Sequence, residues 1–175
     1  MKKPFLALLA ITILSCSTQK LVRTPTKDKS GNLVGVVTKA SFLQDPYKNW
    51  FTPNYNAYDL KETAVAEIAS QLKNVTVKGF MGTWCIDSQE QIPVFYKIMD
   101  SAGFKYTNLE LVTLDRSKKT SDNLQKGYNI FRVPTFIFYK NGIEIGRFVE
   151  FPRETIEVDI LQILSGKPYK HSYEN

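Results

Sequence analysis

Between residues 60 and 165 strand-like and helix-like stretches alternate, and this limits the fold more than any other feature. Residues 75–81 and 109–114 are apolar runs of strand length. Residues 60–72 place Val65, Ile68, Ala69 and Leu72 at helical spacing. Residues 85–100 offer Ile86, Ile92, Phe95, Ile98 and Met99 for one helix face. Residues 121–128 read as a short helix with Gly127 near its end. Residues 133–139 and 143–149 are two strands around Asn141-Gly142, a pair that suits a tight hairpin because both positions accept left-handed backbone. A last helix over 154–164 gathers Ile156, Ile160, Ile163 and Leu164 on one side and stops at Gly166 and Pro168.

Upstream, 33–42 is β-rich, and 49–58 reads as an aromatic loop (Trp50, Phe51, Tyr55, Tyr58) that closes a core edge in preference to lining a substrate groove. The order β-α-β-α-β-α-β-β-α predicts an α/β domain. It implies a mixed five-stranded sheet with helices on both faces. The expected domain runs from 32 to 175, and the 175-residue chain has room for one such unit.

The N-terminus reads as an export signal over residues 1–15. Lys2 and Lys3 precede the ten-residue apolar run 5–14. A run that short cannot span a bilayer, which takes about 20 apolar residues, and it suits a signal-peptide core. Ile13-Leu14-Ser15-Cys16 resembles the bacterial lipoprotein signal, in which the peptide is cut before the Cys and lipid is attached there. That resemblance implies a lipidated Cys16 and an extracytoplasmic location in the cell envelope, on the periplasmic side. Several acyl chains, at about 0.8 kcal/mol per buried methylene, hold a protein on a membrane. Residues 16–31 are polar and aperiodic, so they read as a lipidated N-terminus and flexible tether.

Composition excludes several functions. The net charge of +6 is mild, and Lys and Arg never run longer than two, so a nucleic-acid partner is not expected. Two cysteines and one histidine exclude a four-cysteine or multi-histidine metal site, and no metal or cofactor is expected. With Cys16 assigned to lipid, one thiol remains.

That thiol is Cys85, where the strand 75–81 runs through Gly82-Thr83-Trp84 into a helix. A cysteine in the first turn of a helix meets free backbone N–H groups and the positive end of the helix dipole. Such surroundings can lower a thiol pKa well below its ordinary value, to roughly 3.5–7.5. Ser88, one turn on, is placed to donate a hydrogen bond to the sulfur. Asp87 reads as a solvated charge that favours the helix N-terminus, in preference to a charge that raises the Cys85 pKa and partly cancels the dipole. The competing reading of Cys85 is an inert buried thiol. Arg132-Val133-Pro134-Thr135 starts a strand with a proline, which suits a cis bond in a loop approaching the sulfur. His171 falls in a polar tail and reads as solvated.

Taken together, these segments resemble the thioredoxin superfamily over roughly residues 60–165. Trp84-Cys85-Ile86-Asp87-Ser88 is similar to its active-site loop, Pro93 to its helix proline, and 131–136 with 139–142 to its cis-proline loop and closing hairpin. The resemblance implies a thioredoxin fold, with Cys85 as attacking thiol and Pro134 as cis-proline. It also implies that Trp84 walls the site, and that the Val133 backbone, with Thr135 beside it, pairs with substrate. More narrowly, the chain resembles envelope thioredoxin-like lipoproteins with a Gly-Thr-Trp-Cys-x-Asp-Ser loop.

Two departures shape the functional expectation. Ser88 stands where thioredoxins have the resolving cysteine, and Gly79 where they keep a buried carboxylate. A chain of this kind can attack a disulfide, but a second thiol must release it. One expectation is thus a monomeric monothiol exchange enzyme acting on oxidised or cysteine-containing envelope proteins or small thiols. It would reduce, isomerise or deglutathionylate them. The other is a non-catalytic peptide- or protein-binding module on the same fold. Glutaredoxin-type cluster binding and peroxidase chemistry lack their signature residues around Cys85.

Overall fold

A computed structural model describes residues 24–174. Strands β1 (Thr26–Lys27), β2 (Leu33–Val37), β3 (Val75–Met81), β4 (Leu109–Thr113), β5 (Thr135–Lys140) and β6 (Ile143–Val149) form one sheet in the order β1-β2-β4-β3-β5-β6. β3 and β4 are parallel, and every other neighbouring pair is antiparallel. The helices are α1 (Lys39–Phe42), α2 (Lys48–Ala57), α3 (Glu62–Gln71), α4 (Ile86–Ser101) and α5 (Ile156–Leu164).

The sheet is mixed, as expected, but has six strands and not five. The extra strand, β1, lies in the stretch read as tether. Asp28 turns the chain between β1 and β2 by accepting from the N–H groups of Ser30 and Asn32 at 2.8 and 2.9 Å. Tyr47 fastens the turn through its hydroxyl to the Gly31 carbonyl at 2.6 Å. The folded unit therefore begins before residue 32. A two-residue polar strand has no alternating pattern to read.

β3 divides the core by its period of two. Val75, Val77 and Met81 face a large cluster that contains Phe42, Phe51, Val65, Ile68, Ile92, Phe95, Ile156 and Ile160 from all five helices. Phe80, on the other face, joins a smaller cluster of Cys85, Val112, Leu114, Val133 and Ile137. Leu124, Tyr128 and Ile130 pack against that second cluster from the connection between β4 and β5. Helices on both faces are thus corrected. Among the described residues the helices share one face, and a turn-rich segment covers the other.

The helix expected over 121–128 is replaced by turns. The Leu124 N–H donates to Thr120 Oγ1 at 2.9 Å, and the Thr120 N–H donates to Gln125 Oε1 at 3.1 Å. Asn123, Gly127 and Asn129 have φ of 54°, 88° and 54°. Side chains that bond local backbone, with left-handed residues between them, outcompete a helix. The β-rich stretch 33–42 ends as strand at Val37, and its last four residues form α1. The aromatic loop expected over 49–58 is α2, even with Pro53 inside it. Burial drives this: Phe51 stacks on Phe42 at 5.6 Å and meets Tyr96 edge-on at 5.8 Å. These rings do close a core edge. Tyr55 also donates to Asp100 at 2.7 Å, tying α2 to α4. The Asn141-Gly142 turn is as expected, with φ of 52° and 81°.

Candidate functional site

β3 delivers the chain to Gly82, and a tight turn follows in which the Cys85 N–H donates to the Gly82 carbonyl at 3.0 Å. Cys85 is extended (φ −95°, ψ 127°) and caps α4, and its carbonyl accepts the first helical bond from Gln89 at 3.0 Å. Two side chains of the first turn of α4 hold this loop. Ser88, fully buried, accepts from the Gly82 N–H at 3.2 Å. Gln89 donates to the Thr83 carbonyl at 2.8 Å. Trp84 lies over Gly82 so closely that a Cβ there would sit 2.5 Å from the indole. The indole N–H donates to the Leu114 carbonyl at 2.8 Å, and the Arg116 guanidinium stacks 5.4 Å above the ring.

The second wall is the loop before β5. Val133–Pro134 is a cis peptide. The Cys85 thiol donates to the Val133 carbonyl at 3.3 Å. Thr135, buried at the start of β5, donates to the Arg132 carbonyl at 2.8 Å. The Glu150 N–H donates to the Pro134 carbonyl at 2.7 Å, so the end of β6 buttresses the loop. The structure therefore brings Trp84, Cys85, Ser88, Val133, Pro134 and Thr135 together where β3 ends and β5 begins. Cys16 lies outside the described residues.

The electrostatics of the thiol differ from expectation. Burial pushes the Cys85 pKa up from its ordinary value. The Ser88 N–H and hydroxyl and the Asp87 N–H pull it down, but they do not offset the burial. Asp87 adds to the rise, because its carboxylate lies 3.7 Å from the sulfur. Asp87 is therefore more than a solvated charge, and of the two readings of Cys85 the lowered thiol is corrected to a raised one.

The position under β3 is closed. A Cβ on Gly79 would meet Leu111 Cδ1 at 2.6 Å and Phe136 at 3.3 Å, so these apolar side chains fill the space a carboxylate would need.

Two residues against the loop before β5 carried no sequence signal. Glu150, left-handed at φ 64°, faces Arg132 at 3.7 Å. Burial and the Asp87 charge push the Glu150 carboxyl up, while Arg132 and Lys118 oppose them. His171, read as solvated, is buried. It packs 5.9 Å from the Phe131 ring, accepts from the Tyr173 N–H at 3.2 Å, and faces Glu174 at 3.6 Å. The C-terminal segment thus lies against Phe131, two residues before the cis peptide.

By fold and site, this is an α/β domain that presents a helix-capping cysteine to a cis-proline loop. The sequence profile described as "Thioredoxin" matches residues 39–162, and the chain belongs to the thioredoxin family. It is similar to thioredoxin H5 of Oryza sativa subsp. japonica, 28% identical over 142 residues, which cover 81% of this chain and 87% of the relative. Chloroplastic thioredoxin Y of the same plant is 30% identical over 82 residues, 47% of this chain, and the match spans 46% of that relative. Among solved structures, thioredoxin O2 of Arabidopsis thaliana matches with a TM-score of 0.37 and 19% identity, over 59% of this chain and 82% of that one.

Proposed function

We propose that the protein performs monothiol thiol–disulfide exchange through Cys85 at an extracytoplasmic membrane surface. Membership of the thioredoxin family supports a thiol–disulfide redox role in general. The observation that carries the monothiol reading is the pairing of Cys85 with the cis Val133–Pro134 loop while Ser88 occupies the next turn of α4. A single sulfur is held at the rim of the sheet, and the adjoining helical position offers a hydroxyl that cannot form a disulfide. Cys85 would attack an oxidised protein or small disulfide. A second thiol from the substrate or from solution would release the product. The anchor at Cys16 and the signal over 1–15 belong to this proposal. Among the described residues no helix is long and apolar enough to cross a membrane.

The test is removal of glutathione from a glutathionylated protein, with reduced glutathione supplied as the second thiol. Turnover that disappears in Cys85→Ala supports the reading. Equal rates for the two proteins contradict it.

A second reading is a binding module that uses the same groove without chemistry. The burial of Cys85 and the upward push on its thiol favour it. Loss of function in cells on Cys85→Ala substitution argues against this reading, and full function of that variant supports it.

A further inference from the structure

A thiol that is pushed up, and that must attack, needs somewhere to put its proton. The Cys85 sulfur has two acceptors, the Val133 carbonyl at 3.3 Å and Asp87 Oδ2 at 3.7 Å. A carbonyl can hold the hydrogen bond but cannot take the proton. The space below β3, where a carboxylate would serve, is filled by Leu111 and Phe136. Ser88 is committed to the Gly82 N–H and is too weak a base. His171 is engaged with Tyr173 in the C-terminal segment. Asp87 is the second residue of α4 and is half-buried, so it touches the sulfur and still reaches the opening.

We infer that Asp87 carries the proton of the exchange, taking it from Cys85 on attack and giving it to the departing sulfur. This rests on the monothiol reading above. The Cys85 S–H bond breaks and the proton passes to Asp87 Oδ2. The sulfur lone pair forms a new S–S bond to one sulfur of the substrate disulfide. The substrate S–S bond breaks, its electron pair leaves on the second sulfur, and that thiolate takes the proton from Asp87. One thiol and one disulfide become one mixed disulfide and one thiol, with no outside oxidant or reductant. Release by a second thiol retraces the path, with Asp87 receiving that thiol's proton and returning it to Cys85.

The charged groups around this path are Asp87 on α4, Glu150 at the end of β6, and Arg132 and Lys118 from the connection between β4 and β5. Glu150 feels the Asp87 charge together with those of Arg132 and Lys118. Arg132 limits the repulsion between the two acids.

The leaving group separates this role from a plain charge effect. Exchange depends on the pKa of the departing thiol. An alkyl thiolate, such as that from oxidised glutathione, benefits from receiving a proton. The aromatic thiolate from dithiobis(nitrobenzoate) leaves without one. The single-turnover rate of the full chain is measured with each probe, and the ratio of the two rates does not depend on how much of a sample is folded. In Asp87→Asn the glutathione rate falls on the order of 100-fold, in the range of general acid–base catalysis. The aromatic rate falls by less, because that probe still needs the Cys85 proton removed but needs none delivered to its leaving sulfur, and Asp87→Glu restores the glutathione rate. An Asp87→Asn ratio equal to that of the wild type overturns the role of Asp87 and leaves exchange at Cys85 standing. A wild-type chain that reacts with neither probe overturns the monothiol reading itself.

Discussion

The Cys85 thiol lies 3.3 Å from the Val133 carbonyl oxygen, beside the cis peptide that joins Val133 to Pro134. The contact is favourable for a protonated sulfur, which donates, and unfavourable for a thiolate, which would face oxygen lone pairs. The resting form is therefore the thiol. Reactivity depends on substrate drawing the sulfur away from that oxygen, and not on a standing thiolate.

The pH dependence follows directly. The rate of Cys85 alkylation by iodoacetamide, followed against pH, has its midpoint above 9.0, the ordinary thiol value. Linkage gives the sign for stability. The raised folded value means that the folded chain keeps its proton where the unfolded chain loses it. This contribution is complete below 9.0 and is lost as pH climbs through the folded value above it. In thermal melts Cys85→Ala lacks that alkaline loss. A midpoint below 9.0 would contradict the account.

Ser88 has one bond that matters to the loop, from the Gly82 N–H. Ser88→Ala leaves that buried donor without a partner and costs about 1–3 kcal/mol in denaturant unfolding. Ser88→Cys places a second sulfur one helical turn from Cys85. Mild oxidation then closes an internal disulfide, seen as the loss of both free thiols by mass. An oxidised variant that keeps both thiols free would show that the turn cannot serve a dithiol.

Gly79 leaves room for Leu111 and Phe136 to pack beneath β3. Gly79→Ala brings Cβ to 2.6 Å from Leu111 Cδ1, and overpacking of this kind costs about 1–3 kcal/mol. Gly79→Asp adds the burial of a charge and lowers stability further. Chemical denaturation of the two variants measures both effects. Stability equal to wild type in Gly79→Asp would show that the space under β3 is open to a carboxylate.

The C-terminal segment is pH-sensitive through His171. Burial holds its imidazole below the ordinary 6.5, Arg147 adds to this, and Glu174 opposes it. The neutral form is the one that fits. Its contribution is present above 6.5 and is lost as pH falls through the lower folded value. Digestion by carboxypeptidase on either side of that value is the measurement. The tail past Pro168 is protected on the neutral side and trimmed on the acidic side. Equal trimming on both sides would contradict the packing of His171 against Phe131.

The elements with strong periodicity were legible in the sequence. β3, α4, the hairpin around Asn141-Gly142 and α5 lie close to where spacing puts them. So does the cis peptide before Pro134, since a proline at the start of a strand has few other uses. What escaped was set by tertiary contact or by local competition. α2 forms around a proline because Phe51 finds Phe42 and Tyr96. The turns at 121–129 follow from the side chains of Thr120 and Gln125, which a helical pattern does not weigh. At the site, the order of Trp84, Cys85 and Ser88 could be read, but the balance of desolvation against hydrogen bonding at the sulfur could not. Glu150 reaches the cis-proline loop from 65 residues further along the chain than Cys85, and His171 packs on Phe131 from 86 residues further, so no local spacing announced them.

The central claim is that one sulfur, Cys85, exchanges with disulfides and needs a second thiol for release. Its most direct measurement is the intact mass of the native chain after exposure to oxidised glutathione. The account predicts one glutathione on the peptide that carries Cys85, removed on adding reduced glutathione and absent from Cys85→Ala. It would be contradicted by a Cys85 peptide that stays unmodified in the native protein and takes up glutathione only after unfolding.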